Sequence, residues 1–398
     1  MSRFDYGSYC DRLAALGRRR RVRAFGPSRN GRTRAAGRTL VNFSSNDYLG
    51  LSQHPELARR AGEYAKEWGT GSTASRLVCG TLEIHEAIEL KLARGKGTEA
   101  ALVFASGYQA NVSLLAAILD AKVLGAEPLV LSDRLNHASI HDGCKLAGIR
   151  ELRYRHNDMA HLEELLTARR RADQPCFILS ETVFSMDGDR VDLPRLAEIA
   201  RRFDAFLYLD EAHATGVLGR NGFGLSADFP GAADLVMGTF GKALGSFGAY
   251  AACSSALREF LINRCGGFIY ATALPPPVLG AVDAALDLLP GLEPARTELQ
   301  ETSARVRDAF RTGGLDCGPS STQIVPVIVG REDAGLDLAR RLEDEAMLAV
   351  AIRPPTVPPG TSRVRFSLTA AHEPDDIVRL IEAVPRLARA STLRQAAG

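Results

Sequence analysis

Residues 176–210 have the sequence CFILSETVFSMDGDRVDLPRLAEIARRFDAFLYLD. The apolar runs at its two ends, 176–180 and 205–210, are short and rich in residues that favour buried strands. Between them, residues 192–203 place apolar side chains at helical spacing. A helix that connects two strands crosses over one face of a sheet, so this stretch predicts two parallel strands joined by a helix.

The same alternation continues on both sides of this stretch. Further apolar runs lie at 101–104, 128–132, 234–238 and 249–253, with amphipathic stretches at 108–121 and 139–147. The pattern predicts an α/β fold with a mostly parallel central sheet that is covered by helices on both faces.

The two ends of the chain have a different pattern. Residues 1–40 are rich in arginine and predict a short helix at about 8–20 followed by an extended arm. After the proline run 275–277, the pattern predicts a helical stretch at 278–312, strands at 323–329, 348–352 and 363–368, and a last helix at 374–390. We therefore predict an N-terminal helix and arm (1–45), a large α/β domain (46–285) and a smaller α+β domain (286–398).

The composition excludes several classes of protein. Of 398 residues, 45% are hydrophobic and 24% charged, which is typical of a globular protein. The 49 Lys and Arg nearly balance the 47 Asp and Glu, so a nucleic-acid partner is not expected. The seven cysteines are scattered, which predicts reduced thiols in a cytoplasmic protein without a metal site. No apolar run approaches 18 residues, so no membrane span is expected.

Polar residues follow five of the predicted strands. They are Ser106-Gly107-Tyr108, Asn136-His137, Glu181 with Ser185, Asp210 with His213, and Thr239 with Lys242. In an open α/β sheet, ligands bind beyond the carboxyl ends of the strands. These residues therefore predict one active site at that edge of the sheet.

Three of these groups together indicate pyridoxal phosphate (PLP). Lys242 is one of only six lysines and lies in a glycine-rich loop that lets a ligand approach closely. Asp210 ends a buried strand, where a carboxylate needs a partner such as a protonated ring nitrogen. Gly107 and Tyr108 open a helix, whose N-terminus suits a phosphate. A lysine, an acidic partner and a phosphate site are what this cofactor requires.

The motifs around these residues resemble those of the α-oxoamine synthases, which are fold-type-I PLP enzymes. The matching segments are 42–50 (NFSSNDYLG), 107–111 (GYQAN), 136–139 (NHAS), 184–189 (FSMDGD), 210–216 (DEAHATG), 239–242 (TFGK) and 351–358 (AIRPPTVP). The resemblance covers roughly residues 40–385. It implies a homodimer whose active site lies at the subunit interface.

The resemblance also implies roles for individual residues. For the cofactor ring, Lys242 forms the Schiff base, Asp210 pairs with the ring nitrogen, His213 bonds the phenolic oxygen, His137 stacks on the ring, and Ser185 lies near the phenolic oxygen. For the phosphate, the residues are Gly107, Tyr108 and Thr239, with Thr272 reaching the phosphate of the other subunit. For the substrates, Asn46 and Arg353 hold the amino-acid carboxylate, Ser75 lies near the amino acid, and an arginine within 18–21, such as Arg18, binds the acyl group.

The implied reaction joins an amino acid to an acyl thioester with loss of CO2. Segments 351–358 and 368–372 most resemble the members that condense L-alanine with a pimeloyl thioester for biotin synthesis. The acyl carrier can be coenzyme A or an acyl carrier protein. Three alternatives stay open at this point: a related synthase that uses another amino acid or acyl group, an aminotransferase, and a non-catalytic partner subunit.

Overall fold

The structure is a computed structural model that describes the backbone of residues 5–396 and the side chains of residues 5–389. Residues 1–4 of the predicted N-terminal segment and 397–398 of the predicted C-terminal domain lie outside the described residues. The helices are α1 (Tyr6–Ala15), α2 (Pro55–Trp68), α3 (Glu83–Lys96), α4 (Gly107–Ile118), α5 (Ala121–Leu124), α6 (Ala138–Leu146), α7 (Met159–Arg169), α8 (Leu193–Arg202), α9 (Ser255–Arg264), α10 (Gly266–Ile269), α11 (Pro276–Leu288), α12 (Glu293–Thr312), α13 (Glu332–Asp344) and α14 (Pro374–Ala396). The strands are β1 (Arg32–Ala35), β2 (Arg38–Asn42), β3 (Ala100–Phe104), β4 (Leu129–Asp133), β5 (Leu152–Tyr154), β6 (Cys176–Glu181), β7 (Phe206–Asp210), β8 (Leu235–Thr239), β9 (Ala249–Cys253), β10 (Ile324–Gly330), β11 (Met347–Leu348), β12 (Val350–Ile352) and β13 (Ser362–Ser367).

The largest sheet has seven strands, in the order β3-β9-β8-β7-β6-β4-β5. The strands from β8 to β5 pair in parallel, and β9 is antiparallel to both β8 and β3. Alternate residues of a strand face opposite sides of the sheet. Val130 accordingly packs in a core with Leu114 of α4. The next residue, Leu131, packs in a different core with Leu162 of α7. The predicted mostly parallel sheet with helices on both faces is confirmed.

Two smaller sheets complete the molecule. In one of them β13 lies between β10 and β12 and is antiparallel to both. In the other, β1 and β2 form a hairpin, and β2 pairs in parallel with β11. The prediction of a simple extended arm was therefore wrong for residues 32–42. The hairpin turns at Ala36 and Gly37, which both have positive φ (48° and 78°), as the common two-residue turns require.

Two helix predictions need correction, and in both cases a turn residue explains the difference. Helix α1 ends at Ala15 rather than near residue 20, because Gly17 adopts a left-handed conformation with φ of 66°. The stretch 278–312 is not one helix, since a short 3₁₀ turn at Leu289–Leu292 separates α11 from α12. That turn contains Pro290, which has no N–H to continue the helical hydrogen bonds.

The domain limit at residue 285 falls within α11 and stays a prediction. No helix in the described part of the chain is both long and apolar enough to cross a membrane.

Candidate active site

The parallel strands bring polar residues to one edge of the central sheet. Strand β6 ends at Glu181, β7 at Asp210 and β8 at Thr239. Glu181 and Asp210 lie directly opposite each other in the register of β6 and β7. Lys242 follows the end of β8 by three residues. The fold therefore brings together the residues that follow separate strands, as the sequence predicted.

Lys242, which is partly buried, and His213, which is buried, form a close pair at this edge. The Nζ atom of Lys242 lies 2.7 Å from Nε2 of His213. Burial lowers the pKa of Lys242 to about 8, although the charges of Asp210 and Glu181 act in the opposite direction. Burial, and then the charge of Lys242, lower the pKa of His213 well below its usual value. His213 is therefore neutral at pH 7, and its Nε2 can accept a hydrogen bond from the lysine.

A chain of hydrogen bonds continues from His213 to Arg365 on β13. Nδ1 of His213 lies 2.7 Å from the hydroxyl of Tyr48. Tyr48 donates to Oδ1 of Asn46 at 3.1 Å, and Arg365 donates to the same oxygen at 3.0 Å. Burial raises the pKa of Tyr48 to about 12, so the hydroxyl keeps its proton. If Lys242 donates to Nε2, Nδ1 of His213 carries the proton and donates to Tyr48.

Arg365, on β13, has an unused hydrogen-bond donor. The Nε atom of Arg365 is buried and has no hydrogen-bond partner among the described residues. A buried donor without an acceptor costs free energy, so the site gains when a ligand supplies an oxygen there. Arg365 was not predicted. Arg365 lies beside Asn46, which was predicted to hold a carboxylate. Its guanidinium is therefore closer to the predicted carboxylate site than that of Arg353, which does not contact Asn46.

Asp210 is buried, and its hydrogen-bond donors are neutral groups. Oδ2 accepts from the side-chain amide of Asn111 at 2.7 Å, and Oδ1 accepts from the backbone N–H of Ala212 at 2.8 Å. Asn111 is fixed in turn by Ser139 and by the hydroxyl of Tyr208. Because these donors carry no charge, the carboxylate fits a protonated ring nitrogen as its partner.

His137 lies at the start of α6, beside the same cluster. Its Nδ1 is 2.7 Å from the hydroxyl of Ser139, and its backbone N–H donates to Oε1 of Glu181. Desolvation lowers the pKa of His137 although the residue is exposed to solvent, and a neutral imidazole can lie flat against an aromatic ring. Burial and the nearby charge of Asp210 raise the pKa of Glu181 well above its usual value. Glu181 was not given a role from the sequence.

The N-terminus of α4 provides a site of the kind that binds phosphate. Ser106 caps this helix, and the N–H groups of its first turn have no acceptor within the helix. A Cβ added at Gly107 would lie 3.7 Å from Cβ of Thr239, so the helix start and the end of β8 are adjacent. The side chain of Tyr108 is half exposed and bonds Asp142. The predicted phosphate residues Gly107, Tyr108 and Thr239 are therefore together.

The other predicted residues lie on further segments of the chain, where each has its own local contacts. Ser75 and Thr272 face each other in an isolated antiparallel bridge. Ser185 lies half-buried in the turn after β6. The guanidinium of Arg353 donates to the backbone oxygen of Gly17 at 2.9 Å, and that of Arg18 pairs with Glu332 at 2.6 Å. Arg353 thus contacts the N-terminal segment and not Asn46. Arg353 follows β12, whereas Arg365, which does contact Asn46, lies within β13.

The chain is similar to known proteins in family, in sequence and in structure. Residues 38–384 match the family described as Aminotransferase class I and II. A protein of Paramagnetospirillum magneticum named as a putative 8-amino-7-oxononanoate synthase is 59% identical over 95% of this chain and 96% of its own length. The 8-amino-7-oxononanoate synthase of Gluconacetobacter diazotrophicus is 53% identical over 98% of both chains.

Solved structures share the fold over nearly the whole chain. Serine palmitoyltransferase of Sphingomonas wittichii has a TM-score of 0.90 and 27% identity, with 98% of both chains covered. A variant of serine palmitoyltransferase from S. paucimobilis with a bound PLP–myriocin aldimine has a TM-score of 0.89 and 25% identity, with 97% of both chains covered.

Proposed function

The chain belongs to the aminotransferase class I and II family and is a PLP-dependent acyltransferase, and from this premise we propose its reaction. It condenses L-alanine with a pimeloyl thioester to give 8-amino-7-oxononanoate, CO2 and a free thiol, in biotin biosynthesis. The observation that carries the chemistry is the close Lys242–His213 pair, which Tyr48 and Asn46 connect to Arg365. The names of relatives at 59% and 53% identity support the choice of substrates.

The residues at the sheet edge fit the cofactor. When bound, PLP supplies a carbonyl group that reacts with amines and a ring that withdraws electrons from the α-carbon of the amino acid. Asp210 would hold the ring nitrogen protonated, and His137 would lie against the ring face. The N-terminus of α4, with Gly107 and Thr239, would hold the phosphate.

Lys242 would move the proton at the α-carbon. A general base works best when its pKa is near the working pH, and burial lowers the pKa of Lys242 to about 8. With PLP and the amino acid bound, the neutral amine of Lys242 would accept the α-proton. His213 would orient the amine through its Nε2.

Arg365 and Asn46 would hold the carboxylate of the amino acid. Arg365 offers its unpartnered Nε, and its terminal nitrogen lies 3.0 Å from Oδ1 of Asn46. A guanidinium forms strong, directional bonds with a carboxylate, so it can retain that group until the new carbon–carbon bond has formed. We therefore propose Arg365 for the role that the resemblance gave to Arg353. Ser185 and Ser75 would lie along the amino acid, and Arg18 stays our candidate for the acyl group.

We also propose a homodimer that shares this site between its subunits. Leu77, Val78 and Tyr270 are large apolar side chains that are exposed by 51%, 77% and 85%. They are close in sequence to Ser75 and Thr272, which pair with each other. Apolar groups exposed together indicate a protein interface, and Thr272 would there reach the phosphate of the partner subunit.

All seven cysteines are free, which agrees with a cytoplasmic location.

Thiol release from pimeloyl-CoA tests the proposed reaction. The PLP-loaded protein is assayed with alanine, glycine and serine in parallel, and the product is identified by its mass. We expect release with alanine and loss of about 100- to 10,000-fold in the Lys242→Ala variant, with Lys66→Ala, an exposed lysine, as the control. A preference for serine or glycine would contradict the choice of amino acid. Turnover of alanine with a keto acid, without thiol release, would contradict the acyl transfer. Pimeloyl-acyl carrier protein in place of pimeloyl-CoA distinguishes the two carriers.

A further inference from the structure

The turn at residues 184–189, which contains Ser185, is held by the C-terminal domain. The backbone oxygen of Gly188 accepts from the N–H of Ser321 at 2.9 Å and from the hydroxyl of Thr322 at 2.8 Å. Gly188 has φ of 69°, and a Cβ added there would lie 2.0 Å from the backbone oxygen of Ile324. The turn therefore packs directly against the chain that leads into β10, and only glycine fits at the contact.

An ion pair extends this contact to β13. The guanidinium of Arg363 donates to Oδ1 of Asp187 at 2.6 Å and to the backbone oxygen of Met186 at 3.2 Å. The side chains of Arg363 and Asp187 are only 5% and 14% exposed. A partly desolvated, charge-assisted pair of this kind restrains both partners much more than a surface pair does.

The large domain holds the other end of the same turn. Asp189 accepts from Nε2 of His156 at 2.9 Å and from the amide of Asn157 at 2.6 Å. Nδ1 of His156 bonds Asp133, the last residue of β4, at 3.0 Å. The turn is thus fixed to the sheet edge at Asp189 and to the C-terminal domain at Asp187.

Arg363 and Arg365 lie two residues apart on β13, so their side chains leave the same face of the strand. One reaches the Ser185 turn, and the other reaches Asn46. We propose that Arg363 is a positioning residue: through Asp187 it fixes the Ser185 turn relative to Arg365, and so orients the amino acid between them. This inference rests on the proposed role of Arg365 in holding the carboxylate.

Binding of alanine, measured apart from turnover, tests this role. Alanine is titrated into the PLP-loaded protein without acyl donor, and the change in cofactor absorbance gives the Kd. We expect Arg363→Gln and the nearly isosteric Asp187→Asn each to raise the Kd for alanine about tenfold. The Kd for PLP and the melting temperature should stay close to wild type. Arg190→Gln, an exposed residue just after the same turn, is the matched control and should leave all three values unchanged.

The outcomes separate the two levels of the proposal. If Arg365→Gln weakens alanine binding but Arg363→Gln and Asp187→Asn do not, the inference about Arg363 is wrong and the proposed site stands. If Arg365→Gln has no effect, or the wild type gives no response to alanine, the proposed carboxylate site itself is wrong. Equal losses of alanine and PLP binding in Asp187→Asn would show a general structural role and overturn positioning. Should Arg363→Gln fail to fold, Asp187→Asn decides the question, because it removes the same ion pair without a change in side-chain size.

Discussion

At the scale of the residue, the reactive properties of Lys242 come from its surroundings. An exposed lysine has a pKa near 10.4 and is almost fully charged at neutral pH. Burial lowers the pKa of Lys242 to about 8, and the neighbouring acidic groups keep it from falling further. His213 adds no charge, since burial keeps it neutral. The site therefore supplies an amine that can be a nucleophile and a base near physiological pH.

Arg365 and Arg353 should differ in their effect on alanine binding. Arg365→Gln should raise the Kd of alanine by about 10- to 100-fold, because a charge-assisted bond to the carboxylate is lost. Arg353→Gln should leave the Kd of alanine near wild type, because Arg353 bonds the backbone of Gly17. The measurement is the titration of the PLP-loaded protein with alanine. A larger effect from Arg353→Gln would restore the assignment that the sequence motif suggested.

At the scale of the element, His156 connects the end of β4 to the turn after β6. It lies between the carboxylates of Asp133 and Asp189, at 3.0 Å and 2.9 Å. Although burial acts against the charged form, the bonds to the two carboxylates raise the pKa of His156 to about 10. The imidazolium thus stays charged in the folded protein at neutral pH. Its charge balances two acidic groups that would otherwise repel each other.

This arrangement predicts a pH-dependent stability. Because the pKa of His156 is raised on folding, its contribution is full below its unfolded value, near 6.5, and is lost as the pH rises through about 10. His156→Gln should lower the free energy of unfolding at pH 6 by on the order of 3 kcal/mol, as expected when one partner of a buried ion pair is removed. The difference from wild type should shrink towards pH 10. Urea unfolding at pH 6, 8 and 10 measures it, and a difference that stays constant or grows would contradict the account.

The sequence predicted those parts of the fold and site that depend on local pattern. The buried strands between β3 and β9 are apolar runs, which the sequence shows directly. A residue at or just after the end of a parallel strand lies at the ligand-binding edge of the sheet, so Lys242 and Asp210 could be found. The hairpin β1–β2 could not, because its strands are short and contain arginines. Tyr48 and Arg365 lie more than 300 residues apart in the chain. Only the packing of the C-terminal sheet against residues 43–48 places them together, and no local pattern encodes that contact.

For the molecule as a whole, the apolar surface near Ser75 and Thr272 is where we place the partner subunit of the proposed homodimer. The segment Arg76–Gly80 forms a single π-helical turn, and it leaves Leu77 and Val78 in solvent. Beneath them, Arg76 is buried and pairs with Glu89 at 2.7 Å. A buried anchor below two exposed apolar side chains presents them rigidly, which lowers the entropy lost when they are covered. In the dimer that we propose, covering them would bring Thr272 to the phosphate of the other subunit.

Replacing both exposed side chains tests this arrangement. The double variant Leu77→Glu, Val78→Glu should be a monomer in sedimentation velocity experiments, because burying two carboxylates in an apolar interface is strongly unfavourable. Because the proposed phosphate site needs Thr272 of the partner, the Kd for PLP should rise at least about tenfold, as expected for the loss of one hydrogen bond to a charged group. Val123→Glu, at an apolar residue that is also exposed but lies on α5, is the control and should remain a dimer with wild-type PLP affinity. A double variant that is monomeric yet binds PLP normally would show that PLP binding does not depend on the dimer. A wild type that is itself monomeric at micromolar concentration would contradict the shared site altogether.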